Sequence, residues 1–217
     1  MNADGIALKK ARLFCGISER ELSELLAYLA PRCAEYGRGE YLPKYDFSRA
    51  FGVVISGSVL LLRDDRRGYR DLFLRVPAGD TFCESQAICR KSADIDAVAE
   101  EKTRVFWISA EKATGSAAAE CAGYLRFIKN LMSAAAEKEL ALCEKITHMS
   151  RRTTRQKLMS YLGSRSRSYG SRTFDIPFSR QQLADYLSVD RSAMSAELSA
   201  LARDGLIKYE RSHFELL

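Results

Sequence analysis

The stretch that decides the fold is SRQQLADYLSVDRSAMSAELSAL, residues 179–201. Its apolar residues keep helical spacing twice, in Leu183, Ala184 and Leu187 and again in Met194, Leu198 and Leu201, with only Ser188, Val189 and Asp190 between the two sets. Two short helices therefore meet at a tight turn. Ser179 is a natural N-cap whose capping box Gln182 can complete, and Asp190 caps the second helix in the same way. At about 100° per residue the second helix turns Met194, Leu198 and Leu201 inward. Ser192, Ala196, Ser199 and Arg203 then lie opposite, with Arg191 and Ser195 at the edge near the N-terminus.

Beyond the pair, RDGLIKYERSHFELL ends the helix at Gly205 and supplies two short apolar runs, residues 207–209 and 214–216, able to pair as a hairpin. Helix, turn, helix and hairpin make a winged helix. A recognition helix enters the DNA major groove by its N-terminal residues, where an arginine can pair bidentately with guanine and small hydroxyls can reach base edges or phosphates. Arg152, Ser179 and Arg180 complete the expected DNA-facing set, the two arginines on phosphates. The competing reading, an αα-hairpin inside a core, does not account for a face of two arginines and three serines opposite the leucines.

Charge agrees with this placement. The net charge is +6, with 34 basic and 28 acidic residues. Up to Ile146 the two signs nearly cancel, whereas the remainder holds 12 Lys and Arg against 7 Asp and Glu. A basic excess confined to one small region is the electrostatic footprint of a polyanion partner. No run approaches the roughly 18 apolar residues of a membrane span, and MNADGIALKKARLF lacks the order of a signal peptide, so a cytoplasmic protein with no membrane partner is expected. Six cysteines (Cys15, Cys33, Cys83, Cys89, Cys121 and Cys143) contain no CxxC pair, which argues against a zinc site and against a secreted disulfide framework.

Earlier in the chain the texture changes twice. Residues 5–30 look helical, with Ser18 and Glu21 in capping-box spacing. From Glu35 to Ser109, short apolar runs (FGVVISGSVLLL, DLFLRV, RVFWIS) alternate with RDDRRG and PAGD, the pattern of an antiparallel β-roll or sandwich. Helical spacing returns near Glu120, where Leu125, Ile128, Met132, Ala135, Leu142, Ile146 and Met149 form a seam interrupted at Glu139. So narrow a stripe favours a second copy of the helix over packing on the chain's own β-roll. GSRSRSYGSRT, residues 163–173, reads as a flexible polar connection, followed by a short strand in TFDIPF. The expected architecture is α+β: a sensory β-roll over 1–110, a dimerisation helix over 111–146 and a winged-helix domain over 147–217.

FSRQQLADYLSVDRSAMSAELSALARDGLI resembles the helix-turn-helix of the cyclic-AMP-receptor-protein and fumarate-nitrate-regulator family of bacterial transcription factors. More loosely, GYLRFIKNLMSAAAEKELALCEKI resembles that family's dimerisation helix, and FGVVISGSV with VPAGDTFCES its cyclic-nucleotide-binding β-roll. The resemblance implies a homodimer on a palindromic DNA site and admits RNA polymerase as a further partner. It matches Arg191 to the guanine-reading arginine, and Ser192 and Ala196 to two further base-contacting positions usually filled by larger polar residues. With alanine at 196, the recognised sequence should differ from that of the best-known members.

Family members that bind cyclic AMP carry Gly-Glu and, about ten residues on, an Arg-Ser pair that takes the phosphate. A buried phosphate needs such a guanidinium or several amide donors. Here Cys83 and Glu84 hold the first place, so only the ribose-binding glutamate matches. The second falls in ADIDA, on Asp94 with Ile95 or Ile95 with Asp96, and supplies no cation. The adenine-contacting pair corresponds to Leu142 and Cys143. The effector pocket around Cys83, Glu84, Leu142 and Cys143 is thus expected to have lost cyclic AMP, and to serve another small molecule, a redox signal or none.

Other functions fit less well. A Cys83–Cys89 switch has nothing local to lower a thiol pKa, an iron–sulfur cluster lacks its N-terminal cysteines, and a cupin-type metal site lacks histidines in the roll, since His148 and His213 lie outside it. P-loop, GxGxxG, HExxH and GxSxG motifs are absent, so neither an enzyme nor a bound cofactor or metal is expected. The rival reading is a dimeric sensor or scaffold that works through protein contacts without specific DNA binding.

Overall fold

Ser18 opens helix α1 (Glu19–Leu29) through a reciprocal cap in which its hydroxyl accepts from the Glu21 amide and the Glu21 carboxylate accepts from the Ser18 amide. The computed structural model describes residues 8–65 and 69–217. The chain folds as two units, Met1–Arg63 with Leu74–Glu139, and Asp64–Phe73 with Leu140–Leu217. The helix expected over 5–30 is not continuous: residues 5–7 lie outside the described residues, and a short 3-10 turn (Arg12–Phe14) precedes α1. The cause is the cap itself, because Ser18 is extended and spends its side chain on starting a new helix.

Apart from Asp64–Phe73, which belongs to the second unit, the first unit carries the β-roll. Its strands are β1 (Arg32–Tyr36), β2 (Ala50–Ser56), β3 (Ser58–Asp64), β4 (Arg70–Pro77), β5 (Thr81–Phe82), β6 (Asp96–Ala99) and β7 (Thr103–Ser109), with helix α2 (Glu84–Cys89) after β5 and α3 (Ala110–Thr114) after β7. They form two sheets, ordered β1-β7-β2-β5 and β4-β3-β6. Alternation puts Phe51, Val53, Phe106 and Ile108 into one core with Leu22, Leu25 and Leu29 of α1. Phe47, Phe82 and Trp107 make a second aromatic cluster, in which the indole N–H donates to the Tyr36 hydroxyl at 3.0 Å. Position 52 has to be glycine, since a Cβ there would stand 2.2 Å from the Phe82 ring.

The long helix α4 spans Tyr124–Met149, so residues 111–123 are not part of it, and the division between the two units falls inside it, after Glu139. Its large apolar side chains are of two kinds. Phe127 and Leu131 are buried and Ile128 packs against the first unit's core. Leu125, Met132, Leu140 and Ile146 stand between 65% and 84% exposed.

The second unit contains α5 (Thr154–Tyr169), β8 (Thr173–Asp175), α6 (Arg180–Leu187), α7 (Arg191–Arg203), β9 (Ile207–Glu210) and β10 (His213–Leu216), with the strands in the order β8-β10-β9. The stretch expected as a flexible connection, 163–173, is largely helix: α5 continues to Tyr169 and stops only at Gly170, which takes the left-handed cap. Tertiary contacts hold it. The buried Ser164 hydroxyl donates to the Tyr161 carbonyl and meets His148, and Tyr169 stacks on Phe174.

Candidate nucleic-acid interface

The helix pair is built by its caps. Ser179 and Gln182 bond reciprocally at the start of α6, and the Asp190 carboxylate accepts from the Ala193 amide at the start of α7. The turn is pinned from α5, where the Lys157 ammonium donates to the carbonyls of Leu187 (3.1 Å) and Ser188 (3.4 Å). Positive charge at a helix C-terminus is where the helix dipole favours it. Ser188 itself is left-handed, which folds the chain back for α7. An ion pair between Arg155 and Asp204 fixes the far end of α7 to α5.

On α7, Met194, Leu198 and Leu201 are buried, while Arg191, Ser192, Ser195, Ala196, Ser199 and Arg203 are all exposed. The serine hydroxyls point their hydrogens inward: Ser192 donates to Asp190, Ser195 to the Arg191 carbonyl and Ser199 to the Ser195 carbonyl. They therefore offer acceptor lone pairs outward. Beside them Arg191 is the one long cationic side chain at the helix's N-terminal end. Arg152 is exposed in the loop before α5, and Ser179 is exposed at the α6 cap.

Arg180 sits differently. Its guanidinium lies over the rings of Tyr209 (4.8 Å) and Phe214 (5.1 Å) from the hairpin, and it is half-buried. Burial opposes its charge. Beneath this surface, His148 is buried with Nδ1 2.9 Å from the Ser160 hydroxyl and Nε2 3.3 Å from that of Ser164, and desolvation holds it below its ordinary pKa. Lys145 is buried too, its ammonium donating to the Leu72 carbonyl and lying between the Phe73 and Tyr186 rings, so that burial pushes its pKa down to about 8.

The β-roll residues singled out from sequence are occupied by the protein itself. Glu84 is 2% exposed and forms an ion pair with Lys138 of α4, while Thr81 donates to the same carboxylate oxygen at 2.8 Å. The Lys138 ammonium also donates to the Thr81 hydroxyl at 2.9 Å. Asp94 and Asp96 share Lys44, at 3.2 and 3.3 Å. Neither cation is legible from the motif, because each is remote in sequence. Cys83 is buried in a left-handed conformation that glycine adopts freely, and its thiol is pushed up to about 12 by burial and by Glu84. Leu142 is half-buried and Cys143 exposed.

With that geometry in hand, comparison with known proteins is decisive for the C-terminal third. A family model for the Crp-like helix-turn-helix domain matches residues 146–217. This segment is similar to Crp-like helix-turn-helix domains. The chain is 38% identical over 71 residues to the transcriptional activator protein FnrL of Cereibacter sphaeroides, a match covering 29% of this chain and 29% of that protein, well under two thirds of the relative's length. Whole-chain likeness comes from structure. FixK2 of Bradyrhizobium japonicum superposes with a TM-score of 0.63 at 18% identity, covering 86% of this chain and 92% of that one. The c-di-GMP-responsive global regulator CLP of Xanthomonas campestris gives 0.69 at 15%, covering 92% and 99%. A CooA mutant from Carboxydothermus hydrogenoformans gives 0.69 at 15%, covering 86% and 83%. The chain therefore has the fold of the Crp/Fnr regulators, a sheet domain followed by the helix-turn-helix. Among the described residues no helix is long and apolar enough to cross a membrane, and no group of three or more His, Cys, Asp or Glu could hold a metal ion.

Proposed function

We propose that the protein is a homodimeric, cytoplasmic transcription regulator that binds a palindromic DNA site through α7 and whose β-roll does not take cyclic AMP. The observation that carries the DNA reading is the exposed face of α7, on which Arg191 stands beside small side chains over a buried leucine-and-methionine stripe. An arginine at the first turn of such a helix reaches guanine O6 and N7. The exposed Leu125, Met132, Leu140 and Ile146 of α4 support a second copy as the partner for that helix. RNA polymerase is the further partner implied by a regulator of this fold.

The ligand reading follows from charge. A cyclic phosphate entering the roll would meet Asp94 and Asp96, and Lys44 is already engaged by both. Its sugar would compete with Lys138 and Thr81 for Glu84. With these groups mutually neutralised, DNA binding proceeds without cyclic AMP.

The test is a contrast between two arginines on a cognate duplex obtained by selection from a random library. Arg191→Ala costs about 1 to 3 kcal/mol on the cognate site and flattens the preference at one position per half-site. Arg152→Ala weakens all sequences alike and lowers the salt slope by about one. Equal loss on cognate and random duplexes for Arg191→Ala would leave α7 without a base-reading role, and the scaffold reading would take its place.

A further inference from the structure

Arg180 is the first residue of α6, and its neighbours are aromatic. The guanidinium carbon lies 4.8 Å from the Tyr209 ring centroid and 5.1 Å from that of Phe214. Those two rings stack on each other at 5.8 Å, Phe214 stacks in turn on Phe174 of β8, and the Tyr209 hydroxyl lies 3.4 Å from that of Ser199 on α7. The wing hairpin β9–β10 is thereby tied to the first turn of α6 by one planar cation and to the middle of α7 by one hydroxyl pair. The tip of the hairpin carries Arg211, exposed and in the left-handed region, as its cation.

We infer that Arg180 is a positioning residue that locks the wing against the helix pair, so that its contribution to DNA binding passes through the wing-tip Arg211 and not through a phosphate of its own. The inference rests on the second unit being the DNA-binding unit. A planar guanidinium attracts the electron-rich faces of both rings, and a lysine cannot reproduce a two-ring stack with its compact ammonium. A phosphate contact makes the opposite demand, since it needs charge at the surface and tolerates lysine.

These demands separate in the salt dependence of the full-length chain on the selected duplex. Arg180→Ala and Arg211→Ala each lower the slope of log affinity against log salt by about one, and the double variant lowers it by one as well, because the second substitution removes a contact already lost. Arg180→Lys, which keeps the charge, behaves like Arg180→Ala, and Tyr209→Leu behaves like both. In the DNA-free protein, hydrogen exchange at the amides of Ile207–Glu210 and His213–Leu216 quickens several-fold in Arg180→Lys, with the α7 amides unchanged. A double variant whose slope falls by two, or an Arg180→Lys protein that binds like wild type, would make Arg180 a phosphate ligand and overturn the inference. Unchanged exchange in the wing would overturn it equally. Wild-type protein that selects no duplex would instead overturn the DNA reading, and the exchange arm would still decide whether Arg180 holds the wing.

Discussion

Replacing Lys138 by methionine tests the self-neutralised β-roll most directly. Methionine keeps the length of the stem and removes the ammonium, leaving Glu84, 2% exposed, with the Thr81 hydroxyl at 2.8 Å and no cation. Breaking a buried ion pair from one side costs about 3 to 5 kcal/mol, because the remaining charge is desolvated without compensation. Two features hold the expected loss to about 3 kcal/mol: the Thr81 bond survives, and the Lys138 side chain was 21% exposed, so water can enter. For a unit of this size that lowers the melting temperature by roughly 10 °C. The companion Glu84→Gln should cost only about 1 kcal/mol, since Lys138 can turn its head toward solvent. The double variant, with both charges gone, should return to within about 1 kcal/mol of wild type. Urea and thermal unfolding of the four proteins complete the cycle. A Lys138→Met protein losing less than about 1 kcal/mol, or a double variant as unstable as the single, would refute the idea that the two groups exist to neutralise each other.

Two further outcomes follow from the same structure. Met132→Glu or Ile146→Glu, at positions 68% and 65% exposed in the chain, should convert the proposed dimer to monomer in sedimentation while leaving thermal unfolding of the chain intact; Ile128→Glu should unfold the first unit, because Ile128 packs against its core. His148 gives the pH dependence: burial lowers its pKa below 6.5, so as pH falls through 6.5 the unfolded chain takes up the proton first, and stability of the second unit declines until the folded pKa is passed. His148→Gln should flatten that limb of the stability profile, and an unchanged slope would assign it to carboxylates elsewhere.

What was legible in the sequence was what neighbours in sequence decide. Ser18 with Glu21 and Ser179 with Gln182 form their capping boxes because the partners are three residues apart and no tertiary contact has to intervene. The wing strands appeared where apolar alternation put them. The last two turns of α5 did not, because glycine and the alternating serines are poor helix formers; Ser164, the Arg165–Glu144 ion pair and the Tyr169–Phe174 stack supply what propensity lacks. Lys138 was invisible for a related reason. A buried carboxylate at 84 demands a cation, but nothing in the spacing says that it comes from 54 residues away.

Charge pairing in the second unit also indicates which of its cations receive an anion. A cation already held by a carboxylate must give up that partner before it meets a phosphate, so its net contribution to binding is small however close it lies. Lys44 and Lys138 in the first unit are held in this way, as are Arg155, Arg165 and Lys208 in the second. Among the described residues Arg151, Arg152, Arg167, Arg172, Arg191, Arg203 and Arg211 of the second unit are exposed and form no ion pair with a carboxylate. Counterion release scales with the number of phosphates neutralised, not with the total count of basic residues. The salt slope should therefore follow these free arginines and be nearly indifferent to Lys44 or Lys208. A slope that falls when Lys208 is removed would mean that its pair with Glu215 opens on DNA, and the pairing seen in the free chain would no longer identify the anion-binding surface.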